Sequence, residues 1–143
     1  MRQGALARLY MSGAIDADLL AAGHEIAMAA ELIMRDVDLR TASLETRIDV
    51  SRHGEAFHEA LGRVWIEAAY SAWRRETGPL AALVLDIALH DVGLTAAASR
   101  HHVSTRTART RLIEALERWR TAYQQARDDI DATALTRAQA AVL

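Results

Sequence analysis

The sequence predicts an all-α protein, a compact multi-helix bundle, from three observations. Apolar residues recur every three or four positions through most of the chain, the spacing of a helix face rather than the alternation of a strand. Alanine and leucine dominate while aromatic residues make up 5%, a mixture that favours helix over sheet. With one proline in 143 residues, long stretches lack the residue that most strongly interrupts helices.

The elements follow in order. Asp16 is a helix cap, and Leu19, Leu20, Gly23, Ile26, Ala27, Ala30, Ile33 and Met34 then give an apolar stripe through about Arg35. Residues 36–53 break that pattern; Leu44, Thr46, Ile48 and Val50 alternate, which permits a short strand or extended arm. A second helix is expected from about Gly54 to Glu76, with Phe57, Leu61, Val64, Trp65, Ala68 and Ala72 on one side and Tyr70 and Trp73 nearby. Thr77-Gly78-Pro79 stops it, and Pro79 suits the first turn of a third helix carrying Leu80, Leu83, Val84, Ile87 and Ala88. Gly93 is placed to end that helix in a left-handed conformation.

The pieces then shorten. Thr95 can cap a helix through about His101, and Ser104 can cap a long one starting at Thr105. Only His102 and Val103 lie between them, so the two helices must cross at a large angle, as in a helix-turn-helix. Ala108, Leu112, Ala115, Leu116, Trp119 and Tyr123 mark the inner side of the long helix. Asp128, Asp129 and Asp131 would sit badly at a helix's negative end, so it is expected to stop near Arg127. Residues 1–127 thus form the domain, and residues 128–143 a tail or short helix using Leu135, Ala138 and Val142.

Charge divides the chain sharply. The net charge of −2 is the sum of −5 over residues 1–93, +5 over residues 94–127 and −2 over residues 128–143, counted from the same sequence. Arg106, Arg109, Arg111, Arg118 and Arg120 crowd the basic segment, the charge asymmetry of a localised polyanion site. Every basic side chain is arginine, a bias that a GC-rich coding sequence produces and that carries no functional inference.

Other chemistries find little support. Without cysteine there are no disulfides or thiolate metal sites. His53 and His58 are five apart, off the i, i+4 spacing of a helical zinc pair, and no third ligand accompanies them. Asp36, Asp38 and Asp49 are scattered carboxylates; no nucleophile elbow or phosphate-binding glycine loop occurs. No enzyme, cofactor or metal is expected. The N-terminus does not read as a secretory signal, and no apolar run reaches the length of a membrane span, so a cytoplasmic, nucleoid-associated protein is expected.

Residues 94–120, LTAAASRHHVSTRTARTRLIEALERWR, resemble the helix-turn-helix of sigma-factor region 4 and related response-regulator domains. Leu94 and Thr95 match the opening leucine and hydroxyl, and Ala98 the small residue where the helices touch. Val103 matches the hydrophobe after the turn and Ser104 the second cap, followed by Thr107, Ala108, Arg109, Arg111 and Leu112, with Ala115-Leu116 behind. Three positions depart from the pattern: His102 stands where glycine is usual, His101 where an apolar residue is usual, and Ala108 is smaller than the usual valine. A longer resemblance runs through SGAIDADLLAAGHEIAMAAELI, RIDVSR and AYSAWRRETGPLAALVLDIALHDVGLTAAA. These segments are similar to the helix-turn-helix domain of alphaproteobacterial activators of gene transfer agents. The resemblance implies promoter binding and contact with RNA polymerase or a partner activator.

A recognition helix puts its N-terminal residues at base edges in the major groove. With Ala108, Leu112 and Leu116 inside, Thr105, Arg106, Arg109 and Thr110 face outward and are the expected base contacts. Thr95, Arg100, Ser104, Thr107 and Arg111 are the expected phosphate contacts. His101 and His102 border the same surface and read first as exposed turn residues. Double-stranded DNA is therefore the expected partner. One helix-turn-helix reads few base pairs, so Trp119 and Tyr123, or the Leu19–Met34 stripe, can serve either a homodimer or contact with a polymerase subunit, and the sequence does not choose between them. The alternatives are a small-terminase-like DNA-recognition protein and a helical protein-interaction module without DNA binding.

Overall fold

The computed structural model describes residues 4–42 and 53–142, and among them every regular element is helical. The order is α1 (Ala5–Met11), α2 (Ala17–Ala42), α3 (His53–Thr77), a 3-10 turn (Gly78–Leu80), α4 (Ala81–Ala88), α5 (Leu94–Arg100) and α6 (Thr105–Val142). The all-α class and the multi-helix packing are those the sequence predicts. No described helix is long and apolar enough to cross a membrane.

The long helix α6 is the spine. Ala108, Leu112, Ala115, Leu116 and Trp119 are at most 1% exposed, so the inner face expected from their spacing is the face that packs. α2, α3, α4 and α5 all pack on it, and α1 closes over α2 and α4. Trp73 of α3 and Trp119 of α6 meet edge to face, with centroids 6.3 Å apart. The Trp73 indole N–H donates to the Ala115 carbonyl at 2.9 Å, and Trp119 donates to Glu25 of α2 at 3.0 Å. Both indoles thus bury large apolar area while keeping their polar atom paired.

Several expectations are refined. Asp16 does cap α2, its Oδ1 accepting from the Leu19 N–H at 2.8 Å, but the helix runs to Ala42 rather than ending near Arg35. Leu44, Thr46, Ile48, Val50 and Asp49 lie outside the described residues. On α3 the packed residues are Ala69, Tyr70 and Trp73, with Ile66 alongside, while Val64 and Ala68 are exposed. Pro79 sits in the 3-10 turn, with Gly78 at φ +71 absorbing the change of direction.

At the end of α4 the left-handed residue is Asp91 (φ +55), not Gly93, which instead precedes α5 in extended conformation. The side chain decides this: Asp91 Oδ1 accepts the first N–H of α1, from Ala5, at 3.1 Å. It thereby ties the N-terminal helix, which sequence periodicity did not reveal, to the α4–α5 connection. Gly23 in mid-helix serves the same docking. A Cβ there would stand 2.5 Å from Cδ1 of Leu6, so the bare position lets that side chain lie close against α2.

α6 does not stop at Arg127. Gln124 and Gln125 donate to Asp128 and Asp129 at 3.0 and 2.9 Å, one turn on, and Ala122 and Ala126 are buried. These side-chain bonds and the track offered by α3 carry the helix past the aspartates and through the expected tail.

Candidate nucleic-acid interface

The α5–α6 unit is built by two short-range devices. α5 closes in a Schellman turn: the Val103 N–H donates to the Ala98 carbonyl at 3.0 Å and the His102 N–H to Ser99 at 3.2 Å. His102 takes the left-handed conformation this turn needs, at φ +58, so histidine fills the position where glycine is usual. Val103 then tucks against the core. α6 opens on Ser104, whose Oγ accepts the Thr107 N–H at 3.0 Å and donates to Thr107 Oγ1 at 2.9 Å. Thr95, expected to cap α5, lies one residue inside a helix that starts at Leu94 without a side-chain cap.

A second of the three departures is satisfied by tertiary structure. His101, where an apolar residue is usual, is half-buried, and its Nε2 lies 2.7 Å from Asp86 Oδ2 of α4. A carboxylate only accepts, so Nε2 carries the proton of this bond. His101 is therefore an anchor between α5 and α4 rather than an exposed turn residue, whereas His102 is exposed.

The exposed strip at the head of α6 holds Thr105, Arg106, Arg109 and Thr110, all open to solvent. Thr95, Arg100, Ser104, Thr107 and Arg111 surround it and are exposed too. The arginines of the basic segment are not equivalent. Arg100 lies 3.5 Å from Asp86 and Arg111 3.0 Å from Glu114; Arg120 faces Asp18 at 3.7 Å. Arg127 stacks over the Trp65 ring at 5.4 Å. Among the described residues no acid engages Arg106 or Arg109. Two guanidinium groups one turn apart, unpaired and flanked by hydroxyls, can each donate two parallel hydrogen bonds to a guanine edge or a phosphate.

Sequence reasoning missed one cation. The Arg8 guanidinium of α1 stands beside Gly93, where a Cβ would lie 3.6 Å from it, and shares a cleft with Leu94 and Thr95. No local pattern points to it, because its place depends on the Asp91 tie. For the remaining expectations, Trp119 is a core residue at 1% exposure, and Tyr123 is half-buried. No cluster of three metal-ligating side chains occurs among the described residues.

Comparison with protein-family models, with curated proteins and with solved structures finds no match to this chain.

Proposed function

We propose that the chain is a sequence-specific regulator of transcription that binds double-stranded DNA. One observation carries the reading: among the described residues Arg106 and Arg109 are exposed and free of acidic partners at the head of a capped helix, while Arg100, Arg111 and Arg120 are internally paired. A guanidinium left unpaired on a helix is poised for an external anion or base edge, and the short turn between α5 and α6 has the length of a helix-turn-helix connection. In this reading Arg106 and Arg109, with Thr105 and Thr110, read bases. Arg100, Arg111, Thr95 and Thr107 hold phosphates, with Ser104 fixing the helix head and orienting Thr107.

The resemblance of residues 12–33, 47–52 and 69–98 to gene-transfer-agent activators extends the proposal to activation of a prophage-like gene cluster. Here the acidic helices contact RNA polymerase or a partner activator at the nucleoid. The test is fluorescence-anisotropy binding to a random duplex pool and to the upstream region of the chain's own operon, across a salt series. Preference for the upstream duplex is expected, with log affinity falling by about 0.9 per phosphate contact for each log unit of salt. Absence of binding even at low salt would replace this reading with a protein-interaction bundle.

A further inference from the structure

The groove between α2 and α6, about 470 Å³ in volume, is walled on α2 by Met28, Glu31, Leu32 and Arg35 and floored in part by Trp119 and Tyr123. The four α2 residues stand at i, i+3, i+4 and i+7, the spacing of a helix-packing seam. Met28 is nonetheless 69% exposed and Leu32 only half-buried, and no acid or base among the described residues pairs with Glu31 or Arg35.

We propose that this seam docks a second copy of the chain, α2 against α2, antiparallel about a two-fold axis near Ile33. The charges select that occupant and that direction. A two-fold interface presents the same patch twice, and an axis midway between Glu31 and Arg35 brings Glu31 of each copy to Arg35 of the other. A parallel pairing would set Glu31 on Glu31 and Arg35 on Arg35. Leu32 then buries between the two ion pairs and Met28 on the outer side of each, both against the groove. Tyr123 lies 14 positions beyond Arg109, about 21 Å along α6, so the dimer leaves the recognition strip open. The inference stands apart from the DNA reading, to which it would supply a second recognition helix.

Sedimentation equilibrium of the full chain without DNA tests it, with circular dichroism as the check on folding. A reversible monomer–dimer equilibrium is expected. Glu31→Arg and Arg35→Glu each place like charges together twice and raise the dimer Kd by roughly tenfold or more at low salt. The double variant E31R/R35E restores the pairing and the affinity, and Leu32→Glu abolishes the dimer. A monomer at every concentration overturns the proposal and leaves the groove to a helix of another protein. A dimer indifferent to the single charge changes, or not rescued by the double one, overturns it as well. The two readings fail separately: a monomer that binds its duplex refutes only the dimer, and a dimer that ignores DNA refutes only the regulator.

Discussion

Replacing His102 with glycine is expected to stabilise the protein. The residue sits at φ +58, where a side chain's Cβ crowds the following carbonyl at a cost of about 1–2 kcal/mol, nearer the low end for histidine. Its imidazole is exposed and among the described residues makes no hydrogen bond that glycine would forfeit. Against that gain, glycine enlarges the unfolded ensemble, which costs about 0.4–1 kcal/mol. The balance is a stabilisation of about 0.5 kcal/mol, or roughly 2 °C in Tm for a domain of this size. Alanine has neither glycine's freedom nor histidine's tolerance of this region, so the order of stability is Gly, then His, then Ala. Urea denaturation reads this as ordered midpoints with an unchanged slope. An alanine variant as stable as the glycine variant would refute the assignment of backbone strain to this turn.

Arg106→Ala and Arg109→Ala should each cost about 1–3 kcal/mol of discrimination at one base pair; competition with single-base-changed duplexes reads it, and unchanged preference would remove either residue from base reading. Arg8→Ala should weaken binding evenly across sequences and lower the salt slope by about 1, whereas a change confined to one duplex would count against a phosphate contact. Leu112→Ala, at a position 0% exposed where α6 meets its neighbours, should cost about 2–5 kcal/mol in urea unfolding. A loss under about 0.5 kcal/mol, the range of ordinary surface changes, would place Leu112 outside the core.

What the sequence determined by itself was what local chemistry determines. Helix spacing marked the inner face of α6, and the caps at Asp16 and Ser104 are side chains bonding backbone three residues away. The stop at Gly78-Pro79 likewise follows from nearest-neighbour sterics, and the basic block is a count. Tertiary structure decided where long-range partners compete with local preference. Asp91, rather than Gly93, took the left-handed turn because its carboxylate caps a helix 86 residues away. α6 continued past Asp128 because α3 gave it a surface to follow. Arg111 meets Glu114 one turn along the same helix, but Arg100, Arg120 and Arg127 became engaged only when Asp86, Asp18 and Trp65 were brought alongside. Spacing along a chain fixes which face a residue is on; which charge stands opposite that face is fixed only by the fold.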